Sequence, residues 1–281
     1  IEQRSQHLAC GEFSAKFAKV VRGAPHLDEP DVIESAPGTH PEPRADASVD
    51  AYALIHNETS TGVMMEIARP DGADGLVLVD ATSAAGGLRI DPTQFDVYYF
   101  APQKCFAGDG GLWLALCSPA AIERIGRVAA TDRWIPPSVS LAIALENSRL
   151  DQTYNTPALA TLFMLADQLE WMLDHGGLEW SASRCDRSAK ILYGWAEARP
   201  FATPFVAKPS ARSRVSATID FDESVDAAAL ASALRANGIV DTEPYRKLGR
   251  NQLRIGLFPA IEPDDVATVT RAIDFLVDAL H

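Results

Sequence analysis

A lysine and an aspartate at the ends of two predicted strands are the residues best placed to do chemistry. Lys104 closes an aromatic, apolar run and enters a glycine-rich turn. Desolvation at such a position lowers an ammonium pKa and gives the neutral amine that attacks a carbonyl. Asp80 ends an apolar run and offers an anion that keeps a ring nitrogen protonated. The two residues indicate Schiff-base chemistry. The alternative is a buried ion pair, or an N-cap aspartate beside an unrelated lysine.

The elements around these residues predict a mainly parallel sheet. The run that ends at Asp80 is apolar on both faces, which is typical of a strand covered on both sides. Asp80 then lies at the carboxyl edge of the sheet, where α/β proteins bind ligands. A polar, proline-rich stretch (34–50) and a Gly/Asp turn (70–75) are predicted surface connections. The predicted strands are 51–55, 76–79, 97–100 and 112–116.

The second half predicts a smaller α+β unit. Apolar spacing predicts a helix over 156–175 that ends at Gly176-Gly177. We place a domain boundary there, giving a large domain over 1–175 and a small C-terminal domain over 176–281. The elements predicted beyond the boundary are helices 178–198, 225–236 and 263–280 and strands 214–221 and 252–258.

Composition excludes several classes of function. The 281 residues carry a net charge of −13, with 47% hydrophobic and 22% charged residues, as in a soluble globular protein. An acidic field disfavours nucleic acid and anionic lipid as partners, and no apolar run is long enough to cross a bilayer. Four widely spaced cysteines and the absence of a signal-peptide pattern favour a reduced, cytoplasmic setting. We identify no metal-binding pattern.

Five motifs, in order along the chain, resemble class V, fold-type I pyridoxal-phosphate enzymes, and specifically the phosphoserine aminotransferase family. The resemblance extends from Gly11 nearly to the C-terminus. It implies the type I fold, with a mainly parallel sheet flanked by helices in the large domain. The motifs are HNETSTG at 56–62, DATS at 80–83, APQK at 101–104, YNTP at 154–157 and NQLRIG at 251–256.

The resemblance assigns roles around the cofactor, pyridoxal 5'-phosphate. It implies that Lys104 forms the Schiff base and moves the proton, that Asp80 pairs with the pyridine nitrogen, and that Thr59 donates to the phenolic oxygen. It also implies that Gln103 contacts the phosphate and that Phe13 stacks on the ring. Thr59 could instead be a turn hydroxyl, and Phe13 a core aromatic residue.

Two further residues imply a homodimer with shared active sites. Asn155 and Thr156 match residues that reach the cofactor phosphate of the neighbouring subunit. Their alternative role is an N-cap before a helix that begins at Pro157.

Arg254 lies on an otherwise apolar strand, where a guanidinium needs a carboxylate partner. The resemblance makes that partner the α-carboxylate of the substrate, held by the planar fork. An acidic side chain of the protein is the alternative. A basic cluster of Arg246, Lys247 and Arg250 suits a phosphorylated substrate, and the sequence does not say which of the three contacts the phosphate.

The implied activity is amino transfer between glutamate and 3-phosphohydroxypyruvate, giving phosphoserine and 2-oxoglutarate in serine biosynthesis. Related enzymes use a phosphorylated hydroxythreonine in pyridoxine biosynthesis. Other class V activities, alanine–glyoxylate transamination or cysteine desulfuration, are alternatives, although Cys105 is badly placed for a desulfurase. Family members carry a segment ahead of the position of Ile1, with a glycine-rich phosphate-binding turn and a His-Arg pair. We therefore expect a chain shortened at its N-terminus, and an inactive fragment is a further alternative.

Overall fold

The structure, a computed structural model, describes residues 1–280 and contains two main sheets with helices packed against them. The strands are β1 (Ser5–Ala9), β2 (Asp31–Glu34), β3 (Ala51–Ile55), β4 (Asn57–Glu58), β5 (Val63–Met64), β6 (Leu76–Asp80), β7 (Val97–Phe100), β8 (Leu114–Cys117), β9 (Ala202–Pro204), β10 (Ser216–Phe221) and β11 (Gln252–Gly256). The helices are α1 (Glu12–Arg22), α2 (Pro119–Ala129), α3 (Leu141–Ser148), α4 (Leu159–Asp174), α5 (Gly177–Glu197), α6 (Ala227–Ala236) and α7 (Pro263–Leu280).

The larger sheet has six strands in the order β2-β1-β3-β6-β7-β8. All neighbours are parallel except β7 and β8, which are antiparallel. Every residue of β3 is buried, as expected for a central parallel strand covered on both faces. Parallel pairing brings the carboxyl ends of β3, β6 and β7 to one edge, so the turns that follow these strands lie side by side.

The smaller sheet is antiparallel, in the order β11-β10-β9, and packs with α5, α6 and α7. Helix α6 begins where Asp226 accepts hydrogen bonds from the amides of Ala228 and Ala229, which is a standard N-cap. Strand β10 pairs with β11 in a register that runs from Ser216 opposite Gly256 to Asp220 opposite Gln252. This register places Arg254 opposite Thr218.

Helix α5 contributes to two apolar cores with successive turns. The first surrounds the larger sheet and includes Cys185 of α5, whereas the second includes Ala189 and Leu192 of the same helix. The predicted boundary at residue 176 falls between α4 and α5, and it stays a prediction. No helix within residues 1–280 combines the length and apolarity needed to cross a membrane.

The predicted fold class is confirmed, and several predicted bounds need correction. The helix predicted from residue 156 begins at Leu159, because Pro157 disfavours helical backbone at Thr156 and Ala158 has an extended backbone at the N-cap position. The strand predicted from 214 begins at Ser216, because the Ser213 hydroxyl accepts from the amides of Val215 and Ser216 and forms a turn. The strand predicted over 252–258 ends at Gly256, and the one predicted over 112–116 lies at 114–117, beyond the Gly110-Gly111 turn.

Candidate active site

The candidate site lies at the carboxyl edge of the larger sheet. Asp80 ends β6, where it pairs in register with Ile55 of β3 and Tyr99 of β7. The Asp80 carbonyl accepts from the amide of His56, and the Ala81 amide donates to the Tyr99 carbonyl. The loop that begins at His56, the turn after Asp80 and the turn that carries Lys104 therefore start from three adjacent strands. This is the arrangement expected from the sequence.

Two neighbours hold the Asp80 carboxylate in place. Its Oδ1 accepts from the Thr82 amide at 2.9 Å and from the Thr82 hydroxyl at 2.7 Å. The Tyr99 hydroxyl faces the same carboxylate, and burial together with this negative charge raises the pKa of Tyr99. The Asp80 carboxylate is thus held in one orientation.

Thr59 belongs to a hydrogen-bonded group that joins two of these loops. Its hydroxyl donates to the Ser83 hydroxyl oxygen at 2.9 Å, which also accepts from Asn57 Nδ2 at 3.0 Å. Ser83 in turn donates to the Asn57 carbonyl at 3.1 Å. The Thr59 side chain therefore points toward the turn after Asp80, and its position relative to β6 is fixed.

The Lys104 turn is held by the buried Cys105 side chain and by backbone hydrogen bonds. The Cys105 side chain, buried under the turn, donates from Sγ to the Ser83 carbonyl at 3.4 Å. Backbone bonds from Ala107 to Lys104 and from Gly108 to Pro102 close the turn. Lys104 itself is half-buried, and within residues 1–280 it forms no ion pair with a carboxylate. Its neighbour Gln103 is exposed.

Cys105 is not placed to act as a nucleophile. Its side chain is 2% exposed, and burial raises the pKa of its thiol well above the ordinary range. A reactive cysteine needs a lowered pKa and access to the substrate.

Phe13 lies at the start of α1 with 38% of its surface exposed, so it is not a core aromatic residue. Its ring is 6.0 Å from that of Tyr245, and the guanidinium of Arg254 lies 5.8 Å from the Tyr245 ring centroid. Tyr245 thus connects the predicted stacking residue to the predicted carboxylate-binding residue. Sequence reasoning missed Tyr245, although it stands beside the basic cluster that begins at Arg246.

Arg254 is half-buried on β11 and lacks an acidic partner. Within residues 1–280 no carboxylate oxygen lies within 4.0 Å of its guanidinium. Removal from water lowers the pKa of Arg254, as expected for a partly buried cation without a counter-charge. The alternative role, pairing with an acidic side chain of the chain itself, is not supported. The group is free to bind a carboxylate from outside.

The three residues of the basic cluster differ in whether they form ion pairs. Lys247 pairs with Glu12, and Arg250 pairs with Asp220. Arg246 is exposed and forms no ion pair within the part of the chain that the structure describes. It is therefore the member of the cluster whose charge is not already matched by an acidic side chain.

Asn155 and Thr156 lie on an exposed loop ahead of α4. Neither residue caps that helix, because its N-cap position is Ala158 and no side chain bonds to the first turn. Within residues 1–280 neither side chain is hydrogen-bonded to another candidate site residue. The structure thus does not bring these two residues into the site of their own chain.

Comparison with known proteins decides the family. Residues 43–242 match the family model described as Aminotransferase class-V. A phosphoserine aminotransferase from Rhodococcus jostii is 56% identical over all 281 residues, and a Mycolicibacterium vanbaalenii protein that carries this name provisionally is 58% identical. The chain covers 75% and 76% of these two relatives. The chain belongs to the phosphoserine aminotransferase family of class V aminotransferases.

Solved structures agree with this class V assignment at the level of the fold. A phosphoserine aminotransferase from Cytophaga hutchinsonii superimposes with a TM-score of 0.90 at 24% identity, over 98% of this chain and 77% of that one. One from Bacillus circulans subsp. alkalophilus gives 0.84 at 20% identity, over 99% of this chain and 75% of that one. The predicted type I fold of the aminotransferases is thereby confirmed.

Proposed function

We propose that this chain is a pyridoxal-phosphate-dependent transaminase that moves an amino group between glutamate and 3-phosphohydroxypyruvate, giving phosphoserine and 2-oxoglutarate. The observation that carries the proposal is the identity of 56–58% over the whole chain with relatives named for this activity. The geometry is consistent with it, because Asp80, Thr59 and Lys104 follow adjacent strands at one edge of the larger sheet. Arg254, on the smaller sheet, has no acidic partner among the described residues and is connected to Phe13 through Tyr245.

The donor set fits pyridoxal phosphate. Asp80 supplies an oriented carboxylate for the pyridine nitrogen, Lys104 supplies an amine without a competing carboxylate, and Thr59 supplies a hydroxyl on a fixed loop. Phe13 offers a partly exposed ring to cover one face, and Gln103 an amide for the phosphate. When bound, this cofactor withdraws electrons from the substrate Cα, so that its proton can leave.

The residues of the chain then have distinct tasks. Lys104 holds the cofactor and, when released by the amino donor, moves the proton at the substrate Cα as a general base and acid. Arg254 holds the α-carboxylate with its planar fork, which fixes the substrate relative to Lys104. Arg246, the unmatched cation of its cluster, binds the substrate phosphate. Asp80, oriented by its two hydrogen bonds from Thr82, pairs with the protonated ring nitrogen.

A homodimer with shared sites is part of the proposal. Asn155 and Thr156 are exposed and free of a capping role, which suits contact with the cofactor phosphate of a second copy. Helix α4, which follows them, exposes large apolar side chains, including Leu159 at 69% and Phe163 at 74%. Apolar surface of this kind is typical of a protein interface. Light scattering of the purified chain tests this, and a monomer at micromolar concentration contradicts it.

Two rival activities lose support. Desulfuration needs a mobile, reactive cysteine, and Cys105 is buried with a raised pKa. Alanine–glyoxylate transamination loses support because the relatives of 56–58% identity are named for phosphoserine, whereas the solved structures, at 18–24% identity for either activity, inform on the fold alone.

The experiment is cofactor trapping followed by assay. The purified chain is incubated with pyridoxal phosphate, reduced with borohydride and mapped for a phosphopyridoxyl-lysine. We expect the label at Lys104, its loss when glutamate is added before reduction, and none in Lys104→Ala. Rates with phosphoserine, phosphohydroxythreonine and alanine as amino donors then define the substrate. A folded chain without label at Lys104, or faster turnover of alanine than of either phosphorylated donor, overturns the proposal.

A further inference from the structure

Glu58 is a charged side chain with 0% exposure that none of the roles above explains. Within residues 1–280 it forms no ion pair. Instead its carboxylate accepts from five groups at 3.2 Å or less, three on one oxygen and two on the other. Oε2 accepts from the Phe13 amide at 3.1 Å, the Ser14 amide at 2.9 Å and the Ser14 hydroxyl at 2.8 Å. Oε1 accepts from the Ser60 hydroxyl at 2.6 Å, and from the Ser60 amide at 3.2 Å.

These contacts make Glu58 the cap of a helix distant in sequence. Helix α1 begins after Gly11, which has no side chain to satisfy the first amides. Glu58, 44 residues away, accepts from two of them, and Ser60 accepts from a third, the Glu12 amide, at 3.0 Å. A buried negative charge at a helix N-terminus is stabilised by the aligned peptide dipoles as well as by the hydrogen bonds.

The approach of Glu58 to the helix is close enough to require glycine at residue 11. A Cβ on Gly11 would lie 2.5 Å from Glu58 Cγ and 2.5 Å from Ser60 Oγ. The backbone at Gly11 is extended, so space and not conformation sets this requirement. The carboxylate and the helix start form one tightly packed unit.

That unit joins two cofactor-binding elements. Phe13, whose amide donates to Glu58, offers the ring for stacking, while Thr59, the next residue after Glu58, offers the hydroxyl that faces Ser83. We propose that Glu58 is a positioning residue that fixes the Phe13 ring relative to the Thr59 hydroxyl, and so sets the tilt of the cofactor ring in the site. This inference rests on the proposed function, because it requires the cofactor to bind there.

The test compares Glu58→Gln with Asp96→Asn. Glutamine keeps the shape of the side chain, but it removes the charge and replaces one acceptor oxygen with an amide that cannot accept. Asp96 is another buried carboxylate, bound by Arg69, Ser118 and the Val77 amide at the opposite edge of the sheet, and so controls for loss of stability alone. Cofactor Kd, the visible circular dichroism of the bound cofactor, Tm and borohydride labelling are measured on each.

We expect Glu58→Gln to label at Lys104, to weaken cofactor binding by about tenfold, as the loss of a charge-assisted hydrogen bond implies, and to change the visible dichroism. Asp96→Asn should have a lower Tm than the wild type, but the same visible dichroism and the same cofactor Kd. A Glu58→Gln protein with unchanged dichroism and Kd overturns the inference. Absence of label in the wild type itself overturns the proposed function, and this inference with it.

If Glu58→Gln does not fold, the variant Ser60→Ala tests the same inference. Ser60→Ala removes the 2.6 Å bond to Glu58 and the acceptor for Glu12, but leaves the carboxylate and its bonds to Phe13 and Ser14. We expect a weakening of cofactor binding by about threefold, in line with the loss of a neutral hydrogen bond, with a dichroism change of the same sign. Unchanged values for both properties contradict the role of Glu58.

Discussion

Lowering the pH from 7.5 to 5.5 should destabilise the chain through His56. This ring is 5% exposed at the end of β3, and its Nδ1 lies 3.0 Å from the Tyr98 hydroxyl. Burial lowers the pKa of His56 from 6.5 to about 4. Between these two values the unfolded chain binds the proton and the folded chain does not, so the free energy of unfolding falls with falling pH. At pH 5.5 the loss is about 1.4 kcal/mol relative to pH 7.5.

Urea unfolding followed by circular dichroism at the two pH values measures this loss. Burial also lowers the pKa of His7 to about 4, so the two rings together should lower the free energy of unfolding by about 3 kcal/mol. The variant His56→Gln cannot take up the proton, and its loss should be about half that of the wild type. At an m-value of about 3 kcal/mol/M the difference is about 0.5 M in urea midpoint. An equal pH-dependent loss in wild type and variant refutes the reasoning.

Three further outcomes concern the site. Arg254→Lys cannot bind a carboxylate with two parallel bonds, so kcat/KM for glutamate should fall by about 10–100-fold in steady-state assays; an unchanged value contradicts the assignment. Arg246→Ala should raise KM for phosphoserine, whereas Arg250→Ala, whose charge is matched by an acidic side chain, should raise it less; the reverse order contradicts the choice of Arg246. Gly11→Ala places a Cβ 2.5 Å from Glu58 and should lower the free energy of unfolding in urea by about 1–3 kcal/mol, and wild-type stability would show that the contact relaxes freely.

Strands with continuous apolar runs, and strands with a clear alternation of polar and apolar residues, could be predicted from the sequence, whereas β1 could not. β3 and β7 lie at the predicted residues, and β6 extends the predicted strand by one residue, to Asp80. β1 was not predicted, because its sequence SQHLA begins with three polar residues that are nonetheless buried. The buried Gln6 side chain is hydrogen-bonded there to the Asp31 carboxylate and to the backbone of Arg44, and both partners are remote in sequence.

The same limit applies to the site. Lys104 and Asp80 could be placed at one edge, since strand ends meet there in a parallel sheet. Glu58 stood inside a recognised motif, yet nothing local shows that it caps a helix 44 residues earlier. The basic cluster could not be resolved either, because the ion pairs that engage Lys247 and Arg250 are made with distant acids.

Helix α5 should make the unfolding of the chain cooperative, because it belongs to both apolar cores. One turn of the helix carries Cys185 in the core of the larger sheet, and the next turns carry Ala189 and Leu192 in the core of the smaller one. Neither core can lose its packing without releasing a helix that the other needs. A calorimetric scan should therefore give one transition, with equal calorimetric and van't Hoff enthalpies. A fragment that starts after α5 should lack the helix residues that cover the core of the smaller sheet.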